Sequence, residues 1–309
     1  MRKISFKLLS TLTVFSFLIL ASCQNKETKE VVEKEVEKIV KTPAAKISAP
    51  QPSPASTLIQ KVGLTDVTVE YSRPGMKGRA IFGDLVPYGK TWRTGANANT
   101  KITFSTDVII ADKNVAKGTY ALYTVPNKDS WDIMLYSDSS NWGNPKEWDE
   151  TKVVAKTSVK VQIMPVKIET FTITFDDLTN NSGVLGLLWE DVYVGLSFDV
   201  PTDKNVMASI EEVMKGEPNA AAYYDAAVYF KTADKDVNQA VTWIDKAIEM
   251  TKEDPKFWYL RQQSLIHAKA GKTATAIAAA KASLALAEKA GNTGYVKMNK
   301  ASLKEWGAK

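Results

Sequence analysis

The sequence is poorest in the residues on which thiol and metal chemistry depend. Its 309 residues include one cysteine, Cys23, and one histidine, His267. A disulfide within the chain needs two cysteines, and protein zinc sites are built from several Cys and His ligands. A Ser-His-Asp site would have to be built around His267. That histidine lies in a helical pattern far from the glycine-rich loops, so we expect an ordinary helical residue, no metal site and no cofactor.

The excess of positive charge is also small. The chain has 40 Lys and Arg against 35 Asp and Glu, a formal net charge of +5. Three of the basic residues, Arg2, Lys3 and Lys7, lie in a leader-like N-terminus, and without them the net charge is near +2. Nucleic-acid-binding proteins concentrate basic charge on one surface, so we expect no nucleic-acid partner.

The N-terminus has the layout of an exported protein. An apolar run from Leu8 to Leu20 follows the basic head; it is shorter than the roughly 20 residues that span a bilayer and is typical of a signal peptide. The next residues, Leu20-Ala21-Ser22-Cys23, resemble the lipobox of bacterial lipoproteins. The resemblance implies a signal peptide over 1–22, acylation of Cys23 and anchoring to the bacterial outer membrane, facing the periplasm or the cell surface. A plain signal peptide with a chance cysteine is the alternative.

Three segments follow the predicted lipidation site. Residues 23–55 are rich in Lys and Glu and then in proline, and proline-rich segments favour extended conformations without a core. We interpret this segment as a flexible tether. Residues 56–201 contain short runs of alternating apolar and polar residues separated by turn residues, which predicts an antiparallel β-sandwich. These predicted strands cover 67–72, 101–106, 119–125, 131–137, 160–164, 169–175 and 192–200.

Residues 203–309 change to helical patterning. Asp203 or Asn205 is predicted to cap a first helix that continues through Lys215, and Gly271 and Gly291 are predicted to end later helices. The later predicted helices cover 219–232, 237–251, 256–270, 273–290 and 294–306. Equivalent small residues recur at an offset of 36, which resembles the period of about 34 in tetratricopeptide repeats. A tetratricopeptide-like array is therefore expected, with a generic helical bundle as the alternative.

The region between Glu70 and Ser105 carries the densest motifs. They are Ser72-Arg73-Pro74, Lys77-Gly78-Arg79, Ile81-Phe82-Gly83, Leu85-Val86-Pro87-Tyr88-Gly89 and Trp92-Arg93-Thr94-Gly95-Ala96-Asn97. Together with the run at 118–126 they resemble domain-of-unknown-function family 2911 over residues 50–200. The resemblance implies an exported domain of certain Gram-negative bacteria, and the family brings no established reaction.

The same region supplies the candidate ligand-binding residues. They are Arg73, Lys77, Arg79, Tyr88, Trp92, Arg93 and Asn97. In one interpretation, arginine binds a carboxylate or phosphate and an aromatic ring stacks on a sugar. In the other, Arg93 and Asn97 bond backbone carbonyls of a long connection while Trp92 fills the sandwich core.

Carboxylates offer a weaker catalytic alternative. A glycosidase acid and nucleophile need no histidine or metal, and the carboxylates that could pair in this way are Asp84, Asp176, Asp177, Glu190 and Asp191. Asp176 and Asp177 precede a turn sequence and are expected to have a turn role, so Asp84 and Glu190 are the catalytic candidates. The segment 138–150 loosely resembles a calcium loop, although Trp142 occupies a position that should supply oxygen. A surface loop is the preferred interpretation of that segment.

The expected function is therefore binding rather than catalysis. We expect a membrane-anchored envelope protein with an anionic or glycan ligand at the arginine-rich region and a possible protein partner on the helices. A carboxylate-dependent carbohydrate-active hydrolase and a purely structural envelope protein are the alternatives.

Overall fold

A computed structural model describes residues 47–308. The predicted signal peptide, Cys23 and most of the predicted tether lie outside the described residues. Within them, ten strands over residues 55–199 precede six α-helices over residues 202–305. The order of a β domain followed by a helical array is thus confirmed.

The strands form two antiparallel sheets. Six strands pair in the order β1-β2-β3-β6-β7-β8, and four pair in the order β5-β4-β10-β9. The strands are β1 (Ala55–Val62), β2 (Thr65–Ser72), β3 (Thr100–Phe104), β4 (Val108–Ile110), β5 (Lys113–Val115), β6 (Gly118–Pro126), β7 (Ser130–Tyr136), β8 (Val153–Lys160), β9 (Gln162–Asp176) and β10 (Ser182–Asp199).

Strand β10 reverses direction along its length. Its 18 residues would span about 60 Å if they ran straight, yet Val200 N donates to Asn181 O at 2.7 Å just beyond its two ends. Glu190 has a left-handed φ of +55°, and the pairing with β9 shifts register on both sides of it. The element is therefore a hairpin that turns at Glu190, and its arms lie side by side.

The core lies between the two sheets. Strands β2 and β3 bury alternate residues, as the sequence pattern predicts. The largest fully buried side chains include Trp131 from one sheet and Trp189 and Phe171 from the other. The rings of Phe171 and Trp189 meet, and Trp92 from the β2–β3 connection contacts both of them and Trp131.

Six of the seven predicted strands match observed strands, three of them (101–106, 131–137 and 192–200) with one or two residues beyond the observed end, and one needs a correction. The run at 160–164 is not a strand of its own: β8 ends at Lys160 and β9 begins at Gln162. Pro165 lies inside β9 and does not end it. Strand β9 is the edge strand of its sheet, where proline is tolerated because no ladder donor is required.

The helices are α1 (Thr202–Met214), α2 (Ala220–Thr232), α3 (Val237–Met250), α4 (Phe257–Lys269), α5 (Thr273–Lys289) and α6 (Thr293–Glu305). The predicted endings at Gly271 and Gly291 are confirmed, since both have positive φ. The predicted cap of α1 is wrong. Its N-cap is Pro201, without a side-chain cap, and Asp203 lies in the first turn, where it accepts hydrogen bonds from Tyr229 and Lys235 instead.

Small residues allow the helices to pack closely, as expected. Ala240, Ala247, Ala276 and Ser283 are all completely buried. His267 is buried between α3 and α4, where its Nε2 lies 2.8 Å from Asp245 Oδ1, so it has the structural surroundings that were expected. The tetratricopeptide character of the array stays a prediction. No helix in residues 47–308 is long and apolar enough to cross a bilayer.

The β1–β2 turn contacts the start of the helical array. In this turn, Leu64 N donates to Thr202 Oγ1 at 3.3 Å. The neighbouring β9–β10 turn also contacts α1, because Asp203 N donates to Asn181 Oδ1 at 3.1 Å. Gly63 has a φ of +54°, and a Cβ there would lie 1.8 Å from Thr202 Oγ1. Only glycine fits this turn, because both the backbone conformation and the close approach of α1 exclude a side chain.

Candidate functional site

The long connection between β2 and β3 lines a cavity at one end of the sandwich. The cavity has a volume of about 250 Å³. Its charged wall consists of Arg79 and Arg93, and its apolar wall includes the indoles of Trp92 and Trp189. The other lining residues are Ser53, Pro74, Leu85, Val86, Gly95 and Ala96.

Arg93 is the one arginine of this connection whose side chain has no partner among residues 47–308. Its Nε is buried and has no hydrogen-bond acceptor. None of the described residues forms an ion pair or a hydrogen bond with the rest of its guanidinium. A buried donor without an acceptor costs about 1–3 kcal/mol relative to a paired one. The arrangement therefore leaves Arg93 able to accept an anionic partner from outside the chain.

The other two arginines are paired within the protein, Arg73 with β9 and Arg79 with the backbone of the connection. Arg73 donates to Phe171 O at 3.1 Å and to Thr172 Oγ1 at 2.8 Å. Arg79 donates to the carbonyls of Met76 and Gly75 at 2.9 and 2.7 Å. Both side chains therefore hold the fold together, although Arg79 also borders the cavity. The structural interpretation expected Arg93 and Asn97 in this role, and of these two only Asn97 bonds a backbone carbonyl of residues 47–308.

Trp92 belongs to the core. It is only 8% exposed, and its ring stacks on Trp189 and meets Phe171 edge to face. Its Nε1 donates to Gly95 O at 3.0 Å, and its backbone bridges to Thr124 in β6. The expectation that Trp92 fills the sandwich fits this burial, which leaves little of the indole face for a sugar.

The remaining candidates of the connection lie around the cavity. Tyr88 is 38% exposed, covers Gly83 and does not line the cavity. Lys77 is exposed, and its backbone N donates to Glu169 Oε1. Asn97 has a φ of +59° and donates to Ser53 O and Ser72 Oγ. The structure thus brings Arg79, Trp92 and Arg93 together and leaves Arg73, Lys77, Tyr88 and Asn97 outside the lining.

The segment 138–150 braces this connection from the other side. Asn144 Nδ2 donates to Thr91 O at 2.7 Å, and Tyr123 OH donates to Gly143 O at 3.0 Å. A Cβ on Gly143 would lie 3.7 Å from Arg93 Cδ, so the two segments touch at the arginine stem. Neither this contact nor the place of Trp189 in the lining follows from sequence spacing.

A family comparison covers this half of the chain. Residues 53–198 match a family model described as "Protein of unknown function (DUF2911)". The sandwich is a DUF2911 domain. Comparisons with curated proteins and with solved structures gave no match. The predicted resemblance is confirmed, and the description assigns no activity.

The segment of the DUF2911 domain that resembles a calcium loop uses its carboxylates internally. Asp138 accepts hydrogen bonds from Ser140 and Lys152, which lower the pKa of its carboxyl to about 2. Asp149 accepts two bonds from Thr151, and these lower its pKa. In residues 47–308 no group of three or more His, Cys, Asp or Glu side chains could hold a metal ion. Trp142 is 78% exposed, in line with a surface loop.

The two carboxylates considered for catalysis in the DUF2911 domain differ in their surroundings. Glu190 occupies the turn of β10, where its Oε2 accepts from Ile81 N at 3.2 Å and its Oε1 lies 3.6 Å from Lys167 Nζ. Asp84 is exposed in the connection. Neither residue lines the Arg93 cavity, and Glu190 has a positioning role between the hairpin and the connection.

Proposed function

We propose that this chain is a lipid-anchored cell-envelope protein whose sandwich binds a small anionic ligand at the Arg93 cavity without transforming it. The observation that carries the proposal is the Arg93 guanidinium, which belongs to a residue that lines the cavity and has no acceptor within the described residues. A carboxylate or phosphate in the cavity would supply an acceptor, and arginine can bind either group through two parallel hydrogen bonds.

The size and lining of the cavity favour a small ligand with an apolar part. A volume of about 250 Å³ corresponds to roughly eight water molecules at about 30 Å³ each. Trp189, Leu85 and Val86 supply apolar surface in the same lining as the two arginines. A glycan fits less well here, because the sugar-stacking face expected from Trp92 is buried.

Binding is favoured over hydrolysis by the surroundings of the carboxylates. A glycosidase of the usual kind needs two carboxyl groups that flank one substrate bond. The Glu190 carboxylate is engaged by Ile81 N and lies close to Lys167, and the cavity lining contains no carboxylate. An anion-binding module therefore accounts for the lining better than the hydrolase alternative does.

Thermal unfolding of the purified full-length protein in detergent tests the ligand class. The probes are phosphate, acetate, succinate and benzoate, with glucose as a neutral probe. A ligand at 100 times its Kd adds about 2.7 kcal/mol of stability, and each kcal/mol raises Tm by about 2–4 °C in a domain of this size. We expect at least one anion to raise Tm in the natural protein and in Lys90→Gln but not in Arg93→Gln.

Lys90 provides a matched control because it is an exposed cation of the same connection that does not line the cavity. A shift of equal size in Arg93→Gln would refute the site. The absence of any anion-dependent shift in the natural protein would refute the ligand class.

The membrane anchor and the helical surface complete the proposal. Intact-mass measurement should find a mature chain that begins at an acylated Cys23, and Cys23→Ala should release the protein from membranes.

We propose that the helical array contacts a protein partner. What supports this is the exposure of Trp258, which is 37% accessible on α4 beside Phe257. Cross-linking in cells, with Trp258→Ala as the comparison, tests that contact.

A further inference from the structure

A second groove lies on the face of the four-stranded sheet that points away from the core. Two glycines of the β10 hairpin, Gly186 and Gly195, lie beside Tyr193 on this face. A Cβ on Gly186 would lie 2.8 Å from Tyr193 Cε2, and a Cβ on Gly195 would lie 2.9 Å from the Tyr193 hydroxyl. The ring therefore packs close to the backbone of both glycines, and the partly exposed Tyr193 lines the groove.

The groove around this ring has a volume of about 490 Å³ and a mainly polar lining. Asp176 Oδ2 accepts from Thr174 Oγ1 at 2.8 Å and from the Tyr193 hydroxyl at 3.0 Å. Burial and the bond to Asp176 raise the pKa of Tyr193 to about 12, so its hydroxyl keeps the proton that it donates. The other lining residues are Gln162, Asp177, Val184, Leu188 and Ser197.

Several polar groups around the ring are free to meet a ligand. The second oxygen of Asp176 and the side chains of Gln162 and Ser197 have no hydrogen-bond partner among residues 47–308. They include both donors and acceptors. The aromatic ring of Tyr193 lines the groove among these polar groups.

We propose that this groove binds a neutral polyhydroxylated ligand, such as the sugar rings of a glycan. A sugar ring has an apolar face, which an aromatic side chain can cover, and a rim of hydroxyls, which pair with mixed donors and acceptors. The two aspartates oppose the binding of an anion, so the groove differs from the Arg93 cavity in the ligand it selects. The proposal does not depend on ligand binding at Arg93.

Saturation-transfer-difference NMR on the full-length protein in detergent tests the groove. The probes are maltotetraose, cellotetraose and chitotetraose, and we expect at least one to receive saturation from the protein. Loss of the aromatic ring in Tyr193→Ala should weaken that binding about tenfold, which corresponds to about 1.4 kcal/mol. Tyr193→Phe should retain most of it.

A blocking variant keeps the test independent of folding defects. Ser197 is exposed and lines the groove, so Ser197→Trp should fill it without entering the core. Thr57→Trp places the same side chain at an exposed position of β1 and should leave binding unchanged. Binding that survives in Ser197→Trp and Tyr193→Ala would overturn the proposal. So would a natural protein that binds none of the three tetrasaccharides, or that binds the amine probe spermidine in their place.

Discussion

Replacement of Arg93 and Arg73 by methionine gives opposite predictions for the stability of the free protein. Methionine retains the length of the aliphatic stem and removes the charge. Arg73 loses two hydrogen bonds, to Phe171 O and Thr172 Oγ1. Bonds that involve a charged group contribute about 1.5–3 kcal/mol each. The half-buried position of Arg73 lowers this value, so Arg73→Met should cost about 1.5–3 kcal/mol in total.

Arg93→Met should have the opposite effect. Its Nε is buried without an acceptor, and removal of an unpaired buried donor relieves a cost of about 1–3 kcal/mol. The stem contact with Gly143 is retained. We therefore expect the free energy of unfolding to stay level or to rise by up to about 2 kcal/mol. The pair also separates the two interpretations of the connection, since only a ligand-binding arginine should be dispensable for stability.

Hydrogen–deuterium exchange of β2 and β3 is the appropriate assay, because it reports the opening free energy of the sandwich separately from that of the helices. The measurement is made without ligand and at low phosphate. If Arg93→Met loses as much protection as Arg73→Met, the guanidinium is part of the folding framework. The reasoning behind the anion site would then fail.

Two further predictions concern the contact between the β1–β2 turn and α1, and the segment 138–150. Gly63→Ala should lower the free energy of unfolding by more than the roughly 1–2 kcal/mol that left-handed backbone strain costs alone, because the added Cβ would also clash with Thr202, the first residue of α1. Gly78→Ala has similar strain but open space and gives that baseline in urea unfolding; equal losses would contradict the close approach. The Asp138 carboxyl, held at a pKa of about 2 by Ser140 and Lys152, should stabilise the segment above pH 4. This contribution should disappear as the pH falls towards 2, and an NMR titration midpoint near 3.8 would contradict it.

Local patterns predicted the elements of this fold well because local physics decides them. The alternation in β2 and the glycines after α4 and α5 place strands and helix ends by side-chain period and backbone freedom. The predicted cap at Asp203 failed because a tertiary contact with Tyr229 and Lys235 competes for its carboxylate.

The candidate site was predicted only as a region. Sequence reasoning selected Arg73, Arg79 and Arg93 together, since nothing in their spacing distinguishes one guanidinium from another. The structure separates them, because Phe171 and Thr172 of β9 reach Arg73 from about 100 positions away along the chain. Within the part of the chain that the structure describes, no such acceptor reaches Arg93.

The sequence by itself determined the order of strands and helices and the family of the sandwich, because periodicity and motifs are properties of neighbouring residues. The tertiary structure alone decided which arginine keeps an unpaired buried donor and that Tyr193 lies over Gly186 and Gly195. Both depend on which groups from distant parts of the chain lie next to these side chains in the folded protein. The free energy of a buried polar group is set by those neighbours and cannot be derived from its residue type alone.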